Sequence, residues 1–144
     1  MSCELGPANR VLSADEKGPY LDVEVTTLDS CRVEHPNPTF IKIDVEGYEL
    51  EVIQGGRSVL GNASLLGLLV ETFRQHPSPK LMELERRLQE FGFFPCDYHP
   101  TSNRLTPLRN QNEGSNNTLY LRDRPGIKSR LQMSRCNLRE WGLT

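Results

Sequence analysis

The sequence predicts an α/β protein built on a mostly parallel sheet, and three observations support this fold class. Two short and nearly continuous apolar runs, 39–45 and 65–70, are typical of strands buried on both faces of a parallel sheet. Segments with helical periodicity alternate with these runs, which predicts parallel pairing. The chain of 144 residues is long enough for one domain with a buried core.

The first half of the chain contains two predicted strands and one predicted helix. Residues 1–19 are polar and punctuated by Gly and Pro, and we expect an irregular segment there. Residues 20–28 alternate apolar and polar side chains, which predicts a strand with one solvated face. After the first apolar run, a helix is predicted from Tyr48 to about Leu60, with a break at Gly55 and Gly56 because glycine disfavours helix interiors.

The second half begins with the apolar run 65–70 and continues with a well-marked helix. Ser78 is a typical N-cap, Pro79 suits the first helical position, and Gly92 suits the position just after the helix. Residues 92–98 and 118–121 then predict two closing strands. No helix is predicted in the polar stretch between them, so we expect these strands to form an antiparallel pair at one edge of the sheet.

These elements divide the chain into an irregular segment 1–19, one domain over 20–123 and a polar, basic tail over 124–144. The net charge of −2 gives no general attraction to nucleic acid, and no apolar stretch is long enough to cross a membrane. The N-terminus does not have the pattern of a secretory signal. The four cysteines are scattered, without metal or disulfide spacing, and together these features predict a cytoplasmic protein.

Carboxylates stand at the ends of both apolar strands. Asp44 and Glu46 end the first strand and Glu71 ends the second. Because the carboxyl ends of neighbouring parallel strands meet at one edge of a sheet, we expect the three side chains to converge on one crevice. The oxygens of clustered carboxylates can bind Mg²⁺, and one of the carboxylates can act as a general base. The residues alone leave open a simpler alternative, in which these acids and Glu49 only stabilise the following helix through its dipole.

Five segments of the chain carry a family resemblance. FIKIDVEGYELEVIQGG at 40–56, followed by LLVET at 68–72, closely resembles the FkbM family of S-adenosylmethionine-dependent methyltransferases. The upstream VEVTTLDS, which contains Asp29, is similar to the stretch ahead of that strand. GFFPCDYH and NTLYLRD are similar to the family's closing strands, so the resemblance spans roughly residues 20–123.

The resemblance implies part of a class I methyltransferase fold, a Rossmann-like sheet that is mostly parallel with an antiparallel edge pair at its C-terminal end. It implies methyl transfer from S-adenosylmethionine, commonly to a hydroxyl oxygen of a sugar or another small molecule. It places Asp44 and Glu46 at the transfer crevice as catalytic residues and makes Asp29 a candidate cofactor contact. Metal-assisted O-methyltransferases of this fold hold a divalent cation with acids at these strand ends, so Asp44, Glu46 and Glu71 are candidate metal ligands.

One part of the family pattern has no counterpart in residues 1–40, namely the glycine-containing cofactor loop with an Asp-x-Gly-Ala-Asn-like motif. We therefore expect the C-terminal part of the fold, with an open edge along strand 39–45. Either residues 20–28 fold back onto that edge, or a second copy or a partner chain covers it. The chain could then be inactive alone.

Two alternatives to an active methyltransferase stay open, the first implied by the partial resemblance and the second suggested by a local motif. The first is a non-catalytic methyltransferase remnant that acts as an interaction module. The second is a phosphohydrolase, because IDVEG superficially matches a strand that ends in an Asp-x-Asp loop. The sequence leaves open whether the chain alone is an enzyme.

Overall fold

The computed structural model describes residues 11, 20–31, 37–72, 78–122, 126–127 and 129. The described residues exclude most of segment 1–19 and most of tail 124–144. The structure therefore does not test our expectations for these two segments. The described part of the chain includes one five-stranded sheet and four helices with defined bounds. In chain order these are α1 (Leu28–Cys31), β1 (Phe40–Ile43), α2 (Glu49–Gln54), α3 (Arg57–Gly61), β2 (Gly67–Glu71), α4 (Pro79–Glu90), β3 (Phe94–His99), β4 (Arg104–Pro107) and β5 (Asn117–Leu121).

The sheet has the strand order β1-β2-β5-β3-β4. β1 and β2 are parallel, with Ile43 beside Val70. The other three pairings, β2–β5, β5–β3 and β3–β4, are antiparallel. The prediction of a mostly parallel sheet is therefore not confirmed, and the sheet is mixed. Because β5 is antiparallel to both of its neighbours, β1, β2 and β3 all run in the same direction.

The closing strands pair as predicted but lie elsewhere in the sheet. β3 and β5 are antiparallel, with Cys96 beside Leu119. However, β5 is inserted between β2 and β3 rather than placed at the edge. The edge strand at this end is β4, which lies in the polar stretch 99–117 that we expected to be loop. It forms a hairpin with β3 through a turn at Asn103, whose φ is 49°.

In the part of the chain that the structure describes, β1 lies at one edge of the sheet, and it is not buried on both faces. Ile43 is buried, whereas Phe40 is 50% exposed. Within the described residues β1 pairs with β2 alone. The predicted strand over 20–28 is wrong, because residues 20–27 have no regular structure and Leu21 is 90% exposed. Residues 20–28 therefore do not pair with the edge of β1. An alternating pattern divides side chains between two faces, but a strand is stable only when another strand pairs with it.

The helix boundaries agree with the sequence signals. The predicted helix after β1 is divided into α2 and α3 at Gly55 and Gly56. Gly56 is also packed tightly, since an added Cβ would lie 2.7 Å from Leu28. Ser78 caps α4 by accepting a hydrogen bond of 3.1 Å from the backbone N–H of Leu81.

The main core lies between the helices and one face of the sheet. Fully buried aliphatic side chains from β1 and β2 meet those of α2, α3 and α4. The core residues are Ile43, Ile53, Val59, Leu60, Leu65, Leu68, Val70, Leu84, Leu88, Phe93 and Tyr120.

Among the described residues, no helix has the length and apolar character needed to cross a bilayer.

Candidate active site

The turn between β1 and α2 is organised by the carboxylate of Glu49, which is buried. Its Oε1 accepts hydrogen bonds from the backbone N–H groups of Val45 at 3.3 Å and Gly47 at 3.0 Å. Two successive residues of this turn are left-handed, Glu46 with φ of 51° and Gly47 with φ of 98°. Glycine adopts this conformation readily, but glutamate does so at some cost, so the turn depends on its side-chain contacts.

The carboxyl groups of Asp44, Glu46 and Glu71 come together at the carboxyl ends of β1 and β2. Each offers one oxygen, and these atoms lie within 4.8 Å of one another. The predicted convergence of the three acids is confirmed in the structure. Glu71 Oε2 is buried and has no hydrogen-bond partner among the described residues. We call these three residues the acidic site.

The charges around the acidic site affect Asp44 and Glu71 in opposite ways. Lys42 Nζ lies 2.7 Å from Asp44 Oδ2, and this hydrogen bond holds the pKa of Asp44 below its ordinary value. Burial raises the pKa of Glu71, and the negative charge of Asp44 raises it further. The charges of Glu46 and Glu49 act on the pKa of Glu71 in the same direction. Crowded acids of this kind favour a proton or a cation among them.

The four acids differ in their surroundings. Glu49 is committed to the turn, where it satisfies two backbone N–H groups. Asp44 and Glu46 instead lie before the first residue of α2 and face Glu71. Three carboxylate oxygens form a donor set that suits a hard cation such as Mg²⁺. The arrangement is therefore chemically suited to hold a cation or to accept a proton.

A small cavity lies beside the acidic site, between the β1–α2 turn and the start of α4. Its volume is about 150 Å³, and its lining includes Leu50, Glu71, Ser78 and Leu84. Pockets for drug-sized ligands typically measure roughly 300–1,000 Å³, so the described residues enclose space for a small group only.

Within the described residues, Asp29 forms no hydrogen bond with the residues of the acidic site. Its two carboxylate oxygens accept hydrogen bonds from the backbone N–H groups of Ser58 at 3.0 Å and Val59 at 2.9 Å. These N–H groups belong to the first turn of α3, which has no side-chain cap of its own. Asp29 thus caps α3 in this structure, and a contact between Asp29 and a cofactor stays a prediction.

Lys80 was not predicted as a site residue, and it reaches the β1–α2 turn from α4. Its ammonium donates a hydrogen bond of 2.6 Å to the carbonyl oxygen of Gly47 and lies 2.9 Å from Glu51 Oε1. No local pattern marks this lysine, because its partners lie about thirty positions away in the sequence. Only the packing of α4 against α2 brings them together.

A mixed α/β sheet with acids at the ends of two adjacent parallel strands is compatible with a methyltransferase. Residues 4–95 match the family described as the methyltransferase FkbM domain, and this range covers more than half of the chain. The chain belongs to this family. No curated protein and no solved structure matches it significantly. The matched range begins upstream of residue 20, where we expected the resemblance to start, and ends within β3.

Proposed function

We propose that this chain is an S-adenosylmethionine-dependent methyltransferase domain that acts on a hydroxyl oxygen of a sugar or another small molecule. Membership of the family implies methyl transfer and the use of S-adenosylmethionine in general. The observation that carries the assignment of the site is the convergence of Asp44, Glu46 and Glu71 at the ends of β1 and β2. In open α/β sheets, ligands bind outside the carboxyl ends of the strands.

The residues of the acidic site have to position the acceptor and take up its proton. S-adenosylmethionine, when bound, supplies a methyl group that is already activated. Alignment of the two reactants can lower such a barrier by roughly 7–11 kcal/mol. Asp44, whose pKa is lowered by Lys42, is a weak base for an alcohol, so it acts best as a hydrogen-bond acceptor that orients the hydroxyl.

A divalent cation would supply what these carboxylates lack. We propose Asp44, Glu46 and Glu71 as its ligands, because each offers an oxygen and Glu71 Oε2 has no partner among the described residues. A cation at these ligands would supply Lewis-acid assistance to the acceptor hydroxyl. The crowding that raises the pKa of Glu71 would be relieved by such a charge.

Calorimetric titration of this chain with S-adenosylmethionine, with and without Mg²⁺, tests the proposal. We expect saturable binding that is weakened in the Glu46→Gln variant. Glu113→Gln, which changes an exposed acid in the β4–β5 connection, is the matched control and should bind like the wild type. Absence of binding at millimolar cofactor would contradict a catalytic role for this chain by itself.

The open edge of β1 favours a second candidate, an interaction module. Within the described residues β1 pairs only with β2, and Phe40 on this strand is half exposed. An unpaired edge strand presents backbone N–H and C=O groups to another chain. A second copy of this chain or a partner chain would then add a strand beside β1. Sedimentation velocity tests this directly: a concentration-independent monomer whose Ile41→Pro variant behaves identically would count against self-association.

A further inference from the structure

Lys80 makes three contacts with the β1–α2 turn, which presents Glu46, and with the start of α2. Its Nζ donates a hydrogen bond to the carbonyl oxygen of Gly47 at 2.6 Å. The same atom lies 2.9 Å from Glu51 Oε1 and 5.3 Å from the centroid of the Tyr48 ring. Lys80 stands in the first turn of α4, so one ammonium connects this helix to three residues of the β1–α2 segment.

The turn has a conformation that benefits from such an external contact. Glu46 and Gly47 both have positive φ values, and Glu46 pays a steric cost for this conformation. Glu49 fixes the turn from inside by accepting hydrogen bonds from the backbone N–H groups of Val45 and Gly47. Lys80 fixes it from outside, at the carbonyl group of Gly47. The N–H and C=O groups of Gly47 are thus both held, one residue after the carboxylate that joins the acidic site.

We propose that Lys80 is a positioning residue that keeps the Glu46–Gly47 turn in its left-handed conformation, so that the Glu46 carboxylate stays beside Asp44 and Glu71. The proposal rests on the proposed function for the meaning of the acidic site, but the contacts themselves do not depend on it. Lys80 is 45% exposed, and exposed ion pairs contribute little to global stability. Its effect should therefore be local.

A positioning role and a purely electrostatic role predict opposite results for cation binding. Lys80 carries a positive charge on the neighbouring turn, and removal of that charge alone would raise the affinity of the acidic site for a cation. Loss of a positioning contact would instead let Glu46 move away and would lower the affinity. The sign of the change in Lys80→Met therefore discriminates between the two roles.

The first measurement needs no ligand. Amide hydrogen exchange of wild type, Lys80→Met and Lys80→Arg is followed by NMR at Val45, Gly47 and Tyr48. We expect exchange at these amides to be about five-fold faster or more in Lys80→Met, because local opening becomes easier. Amides in the centre of β2 should be unchanged. Lys80→Arg should restore part of the protection.

Arg86→Met is the matched control, because Arg86 is an exposed cation on the same helix whose ion pairs are with Glu83 and Glu90. It should leave the turn amides unchanged. Unchanged exchange in Lys80→Met would overturn the proposal, as would equal acceleration in Arg86→Met. Circular dichroism confirms that each variant is folded before exchange is compared.

The second measurement is a titration with Mn²⁺, followed by the electron paramagnetic resonance signal of the free ion. If the wild type binds Mn²⁺, we expect roughly three-fold weaker binding or more in Lys80→Met, although loss of the positive charge alone would strengthen binding. Tighter binding in Lys80→Met would overturn the positioning role. If the wild type binds no Mn²⁺, the cation in the proposed function fails, and the exchange data alone decide the role of Lys80.

Discussion

The carboxyl groups of Asp44 and Glu71 come within 4.8 Å of each other at the ends of β1 and β2, and their pKa values are displaced in opposite directions. Lys42 donates to Asp44 and stabilises its negative charge. Partial burial and the negative charge of Asp44 raise the pKa of Glu71, so Glu71 keeps its proton to higher pH than an isolated glutamate. Neighbouring acids with divergent pKa values are a common property of functional sites.

The raised pKa of Glu71 predicts a pH-dependent cost to stability. The folded state binds this proton more tightly than the unfolded state, whose pKa is near the ordinary value of 4.5. Stability is therefore lost as pH rises from that value through the raised pKa of the folded state. Glu71→Gln cannot ionise, so its free energy of unfolding should exceed that of the wild type at neutral pH and approach it below about pH 4.

Urea denaturation at several pH values, with EDTA present to remove cations, measures this difference. Glu90→Gln is the control, because Glu90 is an exposed residue on α4 that pairs with Arg86. It should show no gain in stability that grows with pH. A Glu71→Gln variant that is no more stable than the wild type at neutral pH would contradict the crowding of the acidic site.

Asp44→Ala and Glu46→Ala should abolish methyl transfer while leaving the fold intact. Both side chains lie beyond the end of β1 and contribute nothing to the main core, so their removal should not unfold the protein. Transfer of a radiolabelled methyl group from S-adenosylmethionine, in an active protein that contains this domain, measures the effect. Glu113→Gln serves as the exposed control. Wild-type rates in either alanine variant would remove these residues from the active site.

The sequence predicted the features that depend on neighbouring residues. Ser78, Pro79 and Gly92 mark the limits of α4 because capping is a local interaction. Gly55 and Gly56 break the helix after β1 for a similar reason. The acidic site was also predictable, since strand ends of adjacent parallel strands must meet.

The features that the sequence did not predict depend on distant partners. The alternation of apolar and polar residues does not specify which strands are neighbours. It therefore could not predict that β5 lies between β2 and β3. No strand among the described residues pairs with the alternating residues 20–27, which have no regular structure. Asp29 caps α3 across a separation of 29 or 30 residues, and Lys80 meets Gly47 across 33. Such contacts become visible only when the elements pack.

Asp29→Ala should destabilise the protein through α3. Its carboxylate satisfies the backbone N–H groups of Ser58 and Val59 at the start of that helix. Loss of an N-terminal cap typically costs about 0.5–2 kcal/mol. The free energy of unfolding in urea measures the change, and Asp22→Ala, in the exposed segment 20–27, is the control. Equal stability of the two variants would show that this cap is not needed.

Arg122 should make one of the larger side-chain contributions to stability. It lies just after β5, is half buried, and donates to the carbonyl oxygens of Phe91 at 3.0 Å, of Asn62 at 2.6 Å and of Leu60. Its guanidinium also stacks 4.4 Å from the ring centroid of Phe93. These carbonyl groups lie at the C-terminal ends of α3 and α4, where the last helical carbonyls lack partners within the helix.

Replacement of Arg122 tests whether the planar guanidinium group, with its several N–H donors, links the C-terminal ends of α3 and α4. Arg122→Ala should lower the free energy of unfolding by about 2–4 kcal/mol, because the partly buried carbonyls lose charged donors. Arg122→Lys should lose most of that amount, since one ammonium cannot reach both helices or stack on Phe93. The exposed Arg86→Ala should change stability by about 0.5 kcal/mol or less. If Arg122→Lys matched the wild type in urea denaturation, charge rather than the forked geometry would be what joins α3 to α4.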